Sequence, residues 1–435
     1  MLKKSFLAQV LLTAITGVCN ADTYTIVDLG TLGGKQSFAY SVNDANVVVG
    51  SSSGKADSNN ITPFSNHAYI ATIEPVTMTD LGHLGGNDST AFFVDSTGLV
   101  YGQSSESIGG TSRGFVHDGV LISNLGLPTG ATQFRALAKE GSGLVIGYSN
   151  VDIDTNATDT LADFRLRAVV RNASGAFTFL DMPKDGTTVV TKGSAVARSI
   201  NSAKQIVGYA SPEDSSNLLH PVRWDFASGT AVVDLGTLGG SAAQANDIND
   251  SGLVVGLSQV SGNKEVQPFV YDASQTTAMK GLGQIRSEMN FGEAYAINNS
   301  NEIVGTSMYA TGLRQRAHAT YYKYNTAASA GASDNKLMDL NSLLSCEDQE
   351  QWELTEARDI NNFGVIVGHG VRKKQKDSSG QLVDVGEIHA FLLKPAAAGA
   401  SAPTCPVTDT KKDSGGSMPV LMMLFSVLLW WRRKA

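Results

Sequence analysis

The sequence predicts an all-β protein, a seven-bladed β-propeller closed by an N-terminal strand. Three observations carry this prediction: one short pattern recurs seven times, each copy but the last brings four short apolar runs, and the run that the last copy lacks stands alone near the N-terminus. The pattern is an alanine followed eleven positions later by a glycine. The copies, named repeats 1 to 7, are 39–50, 91–102, 136–147, 197–208, 245–256, 294–305 and 357–368. Internal repeats of this length decide the architecture before other signals do.

Each repeat but the last predicts four strands, and the last lacks the fourth. The pattern itself holds the first two, a run opened by a large polar residue gives the third, and a run ending near Asp-Leu-Gly gives the fourth. These runs are rich in Val, Ile, Tyr and Phe and are bounded by Gly, Asn, Asp and Ser. Four strands per repeat favour a propeller over a β-solenoid or separate domains. The lone run at 26–34 is the strand that would close the ring.

A tight hairpin joins the first two strands. Four positions before the repeat glycine the chain carries residues that tolerate a left-handed backbone, as a three-residue hairpin requires. These residues are Asn46, Gly98, Gly143, Gly252, Asn301 and Gly364. Lys204 occupies the same position in repeat 4, so we expect that turn to be strained or differently built.

If the N-terminal strand closes the ring from outside, the first strand of each repeat is the innermost. Small residues suit strands that converge on an axis. We therefore assign a structural role to the repeat alanines, Ala39, Ala91, Ala136, Ala197, Ala245, Ala294 and Ala357.

Both ends of the chain resemble targeting segments. Residues 1–21 hold two lysines, an apolar run and small residues, which predicts a secretory signal peptide cut after Ala21. Lipidation at Cys19 is the competing interpretation. The predicted propeller spans 22–395, and a linker of small residues covers 396–414.

The C-terminal residues 415–435 contain Gly415-Gly416, fourteen apolar residues and a basic end. This order resembles the GlyGly-CTERM sorting signal of Gram-negative bacteria. The resemblance implies cleavage near Gly415-Gly416 by a rhomboid-type protease, rhombosortase, and surface display or release through type II secretion. A permanent inner-membrane anchor is the alternative, with the basic end in the cytoplasm.

The cysteine and charge content fits an exported protein. Without the signal peptide, Cys346 and Cys405 remain, and two cysteines in an exported chain predict one disulfide, with two free thiols as the alternative. The formal net charge of −8 argues against nucleic acid or anionic lipid as a partner.

The repeat itself resembles a known family. DLGTLGG at 28–34 and 234–240, INDSGLVVG at 248–256 and HAF at 389–391 are similar to the HAF-repeat proteins, probable extracellular bacterial proteins. The likeness covers 24–395 and is weakest in repeat 3. The resemblance implies an extracellular location and no chemistry, because the family has no agreed activity.

Candidate chemistry is sparse. The polar residue that opens the third strand is His67, Arg113, Arg167, His220, Gln267, His318 or His389. One residue per blade at one strand position favours hydrogen bonding to backbone or a nearby Asp over a metal site. Gly50-Ser51-Ser52-Ser53-Gly54 spells a nucleophile elbow, but no helix follows it.

One loop partly spells a calcium site. Asp152, Asp154, Asn156 and Asp163 have the alternating oxygen ligands of an EF-hand-like loop. Ala157 replaces the required glycine, so a solvated acidic loop competes with Ca²⁺ as the one cofactor that the sequence suggests.

The loops between second and third strands vary most, and function concentrates on such loops. We place them at 51–66, 103–112, 148–166, 209–219, 257–266, 306–315 and 369–388. The last is basic through Arg372, Lys373, Lys374 and Lys376, which predicts either a grip on an anionic partner or a solvated loop.

Three functions follow as hypotheses. The first is an exported module that binds polysaccharide or protein through its loop face. The second is a polysaccharide hydrolase or lyase with an acidic site at the axis, to which Asp247 and Asp359 would contribute. The third is a structural envelope protein. An axial cluster of carboxylates with His or Tyr would favour the enzyme.

Overall fold

The computed structural model describes residues 23–54, 65–153, 164–185, 187–211, 218–275, 278–311, 314–325, 336–376, 381–396 and 405. These residues form an all-β molecule that resembles a β-propeller. Helical structure in them amounts to a 3₁₀ turn, Leu340–Leu343, and one short helix, α1, Cys346–Gln351.

The strands follow the repeats. β1 (Tyr24–Gly30) precedes repeat 1, which supplies β2 (Gly33–Val42), β3 (Val48–Gly54), β4 (Asn66–Ile73) and β5 (Val76–Asp80). Repeat 2 supplies β6 (Ser89–Val94), β7 (Val100–Ser105), β8 (Ser112–His117) and β9 (Ile122–Asn124). Repeat 3 supplies β10 (Ala131–Lys139), β11 (Val145–Asp152), β12 (Phe164–Arg171) and β13 (Phe177–Phe179), followed by a small hairpin, β14 (Lys184–Asp185) and β15 (Thr188–Val189).

The second half continues in the same way. Repeat 4 supplies β16 (Ala195–Ile200), β17 (Gln205–Ala210), β18 (His220–Asp225) and β19 (Val232–Asp234). Repeat 5 supplies β20 (Gly239–Ile248), β21 (Val254–Val260), β22 (Val266–Tyr271) and β23 (Met279–Gly281). Repeat 6 supplies β24 (Gly292–Ile297), β25 (Glu302–Thr311), β26 (Arg314–Lys323) and β27 (Met338–Asp339), and repeat 7 supplies β28 (Trp352–Ile360), β29 (Ile366–Lys376) and β30 (Leu382–Pro395).

The sheets correct the predicted number of separate blades. Repeats 2 to 6 give five isolated four-stranded sheets, not seven. The strands of repeats 7 and 1 join in one eight-stranded sheet, in which β30 pairs with β1 and, at Ile388, also with Gln36 of β2. The merger has a simple cause: two residues separate β1 from β2, so the chain holds β2 within hydrogen-bonding distance of β30.

The repeated alanine and glycine mark one tight contact between the first two strands. In every repeat the strand register shifts directly after the alanine, so the next residue bulges out of the ladder. A Cβ on the repeat glycine would overlap the carbonyl oxygen of the residue before that alanine, as Gly50 would with Phe38. The alanines are at most 2% exposed. The pattern therefore encodes a bulged, closely packed hairpin.

The hairpin turns have the predicted backbone. Every residue assigned to the left-handed position has a positive φ, from 60° at Asn46 to 90° at Gly143. Lys204 also has φ 60°. Its amide donates to the Asn201 carbonyl at 2.9 Å, as the equivalent amides do in the other repeats. The turn of repeat 4 is thus built like its neighbours, and its strain is that of a lysine β-carbon in left-handed backbone.

Each Asp-Leu-Gly segment is a turn that anchors an inter-sheet core. The aspartate accepts a hydrogen bond from the glycine amide two residues later, at 2.8 Å for Asp80 and Gly82 and for Asp234 and Gly236. The leucine between them is buried in the apolar layer between neighbouring sheets, with Leu81 and Leu235 at 6% and 7% exposed. The turn thus joins one sheet to the core of the next.

Side-chain amides connect the hairpin turns of successive repeats. Asn43 Nδ2 donates to the Asp95 carbonyl, and Asn361 Nδ2 donates to the Asn43 carbonyl, at 2.9 and 3.0 Å. The same bond runs from Asn201 to Asn249, from Asn249 to Asn298 and from Asn298 to Asn361. We name this series the asparagine ladder. Repeat 3 has Glu140 at the ladder position, and Lys139 there forms an ion pair with Asp95 at 2.6 Å instead.

The ends of the described chain meet at repeat 7. The Ala396 amide donates to the Thr23 carbonyl at 2.7 Å, and Cys346 is joined to Cys405 by a disulfide with an S–S distance of 2.16 Å. The predicted signal peptide and the apolar segment of 415–435 lie outside the described residues. Among the residues that are described, no helix has the length and apolarity needed to cross a membrane.

Candidate functional site

The polar residues that open the third strands make the structural contacts that the sequence favours. In the four repeats with histidine, its Nδ1 lies 2.7 to 2.9 Å from the aspartate of an Asp-Leu-Gly-type turn. The pairs are His67–Asp80, His220–Asp234, His318–Asp339 and His389–Asp28. Arg113 and Arg167 donate instead to the backbone carbonyls of Thr132 and Gly193, and Gln267 donates to Glu265. In the described part of the chain, no three His, Cys, Asp or Glu residues are grouped to hold a metal ion.

The basic segment is a strand rather than a loop. The region predicted as a loop at 369–388 consists largely of β29 and β30, because their ladder extends to the pair Lys376–Leu382. Arg372 lies over the Trp352 ring at 4.9 Å, with Nε 3.4 Å from an Asp28 carboxylate oxygen. Lys373 Nζ donates to the Gln349 carbonyl at 2.6 Å. These two cations therefore serve internal contacts, while Lys374 is half-buried on the same strand.

The calcium hypothesis lies almost entirely outside the described residues. Asp152 ends β11 and is exposed, whereas Asp154, Asn156 and Asp163 are not described. The elbow-like segment around Ser52 belongs to β3, where the Ser52 hydroxyl accepts the Leu32 amide at 2.9 Å. Ser52 therefore links two segments of the eight-stranded sheet.

Asp247 and Asp359, the two aspartates proposed for an axial acidic site, link neighbouring repeats through hydrogen bonds to backbone amides. One Asp247 oxygen accepts the Ile297 amide at 2.8 Å, and one Asp359 oxygen accepts the Val42 amide at 2.9 Å. Burial raises the pKa of Asp247 to about 7 and that of Asp359 to about 6. Their oxygens are occupied by protein donors and hold the inner strands together.

The inner strands surround a common axis. Each first strand contacts the first strand of the next repeat, and β28 of repeat 7 contacts β2 of repeat 1. The bulged residue after each repeat alanine, its neighbours and the second strands place polar and aromatic side chains around this axis. We name the following residues the axial cluster: Tyr40, Phe92, Arg135, Tyr148, Arg198, Tyr209, Asn246, Glu293, Tyr295, Glu356, Arg358 and His369.

Arg358 is the centre of the acidic side of the axial cluster. Its Nη1 lies 3.1 Å from a Glu356 carboxylate oxygen, and its guanidinium lies over the rings of Tyr295 at 4.1 Å and Tyr40 at 5.6 Å. Glu293 is the second carboxylate, and it accepts a hydrogen bond from Asn246 Nδ2 at 2.9 Å. Repeats 1, 5, 6 and 7 thus contribute to one connected group of ions and rings.

The opposite side is cationic and aromatic. Arg135 lies 5.1 Å from the Phe92 ring centroid and 5.4 Å from that of Tyr148, and its Nε donates to Gln103 Oε1 at 2.6 Å. Arg198 is half-buried and lies on the strand that pairs with Tyr209. Burial raises the pKa of the Tyr209 hydroxyl, although the guanidinium groups of Arg198 and Arg135 act in the opposite direction.

Burial changes the ionisation of this cluster. It raises the pKa of the Glu293 carboxyl, although Arg358 and the bond from Asn246 act in the opposite direction. Burial also raises the pKa of Tyr295 well above its ordinary value. Burial lowers the pKa of Arg358, but Glu356 and the neighbouring tyrosines more than compensate, so the net shift is upward. The cluster therefore holds a permanent cation beside a carboxyl group whose pKa is raised.

His369 adds an unsatisfied polar atom to the acidic side. The residue is 5% exposed, its ring lies 4.9 Å from that of Phe38, and its Nε2 lies 3.8 Å from a Glu356 oxygen. Nδ1 is buried and has no hydrogen-bonding partner among the described residues. Burial lowers the pKa of this imidazole. A neutral histidine can both donate and accept hydrogen bonds, and the buried Nδ1 leaves part of that capacity unused.

Sequence reasoning missed this cluster because it compared what the repeats share. The bulged residue is Tyr, Phe, Leu, Arg, Asn, Tyr or Arg in successive repeats, so it carries no common signal. The available signal was its regular position, one residue after the alanine. A half-buried arginine or glutamate beside an invariant small residue marks a side chain that the fold directs to the axis.

Comparisons with solved structures find a distant likeness. One crystal structure of puromycin hydrolase is 13% identical, with a TM-score of 0.48 over 83% of this chain and 55% of that chain. A substituted puromycin hydrolase complexed with PGG is 13% identical, with a TM-score of 0.46 over 82% and 54%. The present chain thus spans about half the length of these proteins. A mutant of AofleA from Arthrobotrys oligospora is 12% identical, with a TM-score of 0.29 over 86% and 94%.

The sequence comparisons are sparser. No curated protein matches the chain. Residues 234–434 match the model of a family described as "Protein of unknown function (DUF3466)". The matched range begins at the end of β19 and includes repeats 5 to 7.

Proposed function

We propose that the protein is an exported β-propeller that binds polysaccharide, and that the axial cluster contacts the sugar. One observation carries this proposal: side chains from all seven repeats converge on one group of aromatic rings, arginines and carboxylates. Sugars are bound by such groups, because ring faces pack on the apolar face of a pyranose while charged side chains form strong hydrogen bonds with its hydroxyls.

The cluster keeps binding capacity after its internal contacts are counted. Glu293 accepts one described hydrogen bond, and a carboxylate has room for several acceptor sites. His369 Nδ1 has no partner among the described residues. The side chains of Tyr40, Phe92 and Tyr148 are half-buried, so part of each ring is open to solvent. Partly open rings beside unsatisfied polar atoms are typical of a binding site rather than a sealed core.

The proposal also covers the architecture of the protein and its location. We take the eight-stranded sheet as two blades, which makes a seven-bladed ring closed by β1; contacts between β28 and β2 support this. Residues 1–21 support export, and residues 415–435 support sorting by a rhombosortase-type protease and type II secretion, with a place on the cell surface or outside the cell. The resemblance to HAF-type repeats agrees with that location.

The loop face remains part of the proposed site. The connections between second and third strands lie at the end of the ring where β29 and β30 form their long hairpin, and we take them to flank the entrance to the axis. A protein ligand held by these loops is the alternative within the binding hypothesis.

A second candidate is an extracellular polysaccharide hydrolase or lyase. The observation in its favour is the pair of axial carboxyl groups in unlike environments. Burial raises the pKa of Glu293, whereas Glu356 is paired with Arg358 at 3.1 Å. Two carboxyl groups whose surroundings differ in this way are the arrangement that acid and base roles require.

The test is retention of polysaccharides by the purified full-length chain, with mass spectrometry of the bound and released material. We expect intact sugar to be retained, and Tyr40→Leu to weaken retention because the change removes an axial ring. Phe179→Leu is the control, because Phe179 lies on an outer strand and is 38% exposed.

The outcomes distinguish the hypotheses. New fragments would establish the enzyme. Absence of both retention and fragments would overturn the saccharide proposal in favour of a protein ligand or a structural envelope role. Equal retention by the two variants would remove the axial cluster from the site.

A further inference from the structure

We propose that the axial site takes an uncharged saccharide, held against a continuous stack of aromatic rings and arginines. This inference rests on the proposed function, since it names the chemical class of the same ligand. Six members of the axial cluster carry it, and we name them the axial stack. In order around the axis they are Tyr295, Arg358, Tyr40, Phe92, Arg135 and Tyr148.

The axial stack is continuous from repeat 6 through repeats 7, 1 and 2 to repeat 3. Its centre is a pair of rings, since the Tyr40 and Phe92 centroids lie 5.9 Å apart. The Arg358 guanidinium lies 5.6 Å from the Tyr40 centroid and 4.1 Å from that of Tyr295. The Arg135 guanidinium lies 5.1 Å from the Phe92 centroid. Each ring of the central pair is therefore flanked by one arginine.

Protein partners already engage both arginines of the stack. Arg358 Nη1 lies 3.1 Å from a Glu356 carboxylate oxygen, so this charge has a counter-ion within the protein. Arg135 Nε donates to Gln103 Oε1 at 2.6 Å, and its guanidinium also lies over the Tyr148 ring at 5.4 Å. An anionic ligand would have to compete with these partners for the guanidinium groups.

Both signs of charge occur together around the axis. Glu356 lies beside Arg358, and Glu293 is held by Asn246 Nδ2 at 2.9 Å. Carboxylates repel an acidic sugar, and guanidinium groups repel an amino sugar. A ligand without charge avoids both repulsions, and its hydroxyls can donate to the carboxylates and accept from the arginines.

The axial stack is open to a ligand. All six side chains are half-buried, and that of Arg358 is 25% exposed, whereas the repeat alanines are at most 2% exposed. Solvent therefore reaches every member of the stack. Ring faces that water reaches can pack on the apolar face of a pyranose, and phenol hydroxyls donate and accept as sugar hydroxyls do.

The experiment offers the full-length chain an equimolar pool of hexasaccharides and identifies the retained ones by mass spectrometry. The neutral probes are cellohexaose, maltohexaose, xylohexaose and mannohexaose, and the charged probes are hexagalacturonate and the chitosan hexamer. We expect at least one neutral probe to bind about tenfold more tightly than either charged probe. Its affinity by isothermal titration calorimetry should change less than about twofold between low and high salt, because no ion pair with the ligand is screened.

Two adjacent phenylalanines give a matched pair of variants. Phe92→Leu removes a ring from the centre of the stack and should weaken binding of the retained neutral hexamer about tenfold. Phe93→Leu is the control, because Phe93 packs against the apolar core that contains Tyr101 and Phe134. It should leave the affinity unchanged. Thermal unfolding of each variant verifies that it folds.

A third variant tests why the ligand is uncharged. Glu356→Gln removes the counter-ion of Arg358 and one source of repulsion, so retention of hexagalacturonate should rise. Retention of the neutral hexamer should change less, since an amide also accepts hydrogen bonds from hydroxyls. A folded Glu356→Gln that retains no more hexagalacturonate than the native chain would overturn the explanation from charge.

The remaining outcomes separate the two proposals. Preferential retention of a charged hexamer by the native chain, or an affinity that falls steeply with salt, would overturn the uncharged-ligand inference and leave sugar binding intact. Equal affinities of folded Phe92→Leu and Phe93→Leu would overturn the assignment to the axial stack. Failure to retain any hexamer, together with failure of polysaccharides in the retention assay, would overturn the proposed function itself.

Discussion

Two arcs of the ring connect their successive hairpin turns by different contacts. In the regular arc, repeats 4, 5, 6, 7 and 1, each hairpin turn begins with asparagine, and the asparagine ladder joins one turn to the next. In the irregular arc, repeats 2 and 3, the same position holds Asp95 and Glu140. The ion pair of Lys139 with Asp95 replaces the ladder there.

This difference shows where the chain departs from its repeated pattern. Repeat 3 lacks the ladder residue and the Asp-Leu-Gly turn, and it inserts the hairpin β14–β15. The same repeat supplies Arg135 and Tyr148 to the axial cluster. A local departure from a repeated pattern is expected where function competes with stability. The regular arc is thus the scaffold, and the irregular arc carries part of the proposed ligand contact.

The largest expected effect breaks a feature that both arcs share. Gly368→Ala places a Cβ against the Glu356 carbonyl oxygen, so we expect a loss of about 3 kcal/mol in the free energy of unfolding. Gly147→Ala in the irregular arc should cost as much, because its Cβ would meet the Arg135 carbonyl. Gly54→Ala is the control, since its Cβ would meet no atom within 4 Å. Chemical denaturation measures all three, and a native-like Gly368→Ala would refute the tight-hairpin account.

The second prediction compares how much the hairpin-turn contacts of the two arcs contribute to stability. Asn361→Ala removes the bonds to the Asn43 carbonyl and Asn46 Oδ1 and leaves the amide of Val365 without its acceptor. We expect a loss of about 2 kcal/mol, because these groups are buried. Glu140→Ala, at the same position of the irregular arc, should cost about 0.5 kcal/mol or less. Similar losses of unfolding free energy for both variants in urea denaturation would show that the asparagine ladder contributes no more to stability than Glu140 does.

The third prediction concerns pH. Burial raises the folded-state pKa of Asp247 to about 7, so the stability that its protonated form contributes is complete below about pH 4 and is lost as the pH rises through 7. Hydrogen bonds to Asp80 and Asp234 raise the pKa values of His67 and His220, so their contribution is present below 6.5 and is lost above it. His369, with a lowered pKa, acts in the opposite direction.

We therefore expect a lower melting temperature at pH 8 than at pH 5. Asp247→Asn should flatten that slope by on the order of 1 kcal/mol, because its amide has no proton to lose in this range. Melting curves at several pH values for the native chain and the variant measure this. A slope unchanged in Asp247→Asn would mean that the inner-strand aspartates do not control the pH response.

The smallest expected effect tests the one strained turn of the regular arc. Lys204 has φ 60°, where asparagine is better tolerated, so Lys204→Asn should stabilise the protein by about 0.5 kcal/mol. The same change would match the turns of Asn46 and Asn301. Urea denaturation is again the measurement, and a destabilised Lys204→Asn would show that the lysine side chain makes a contact worth more than the strain.

The structural features that the repeats share can be predicted from the sequence, whereas the features in which the repeats differ cannot. The left-handed turn residues, the histidine–aspartate contacts and the buried alanines each follow from one side chain in a recurring place. The merged sheet does not follow, because it depends on Gln36 and Ile388, which are far apart in the chain and pair once. The axial cluster does not follow either, since Arg135, Glu293 and Arg358 have unlike identities and meet only after the ring forms.

The position of β1 has a consequence for how the molecule reaches its folded state. Its partner is β30, and the contact between Asp28 and His389 spans 361 residues. A chain is synthesised from its N-terminus, so β1 is made first and its partner is completed last. Pairings of such sequence separation form slowly. The N-terminal strand therefore keeps an unpaired edge until the rest of the chain has been made, and its length of seven residues limits what else that edge can join.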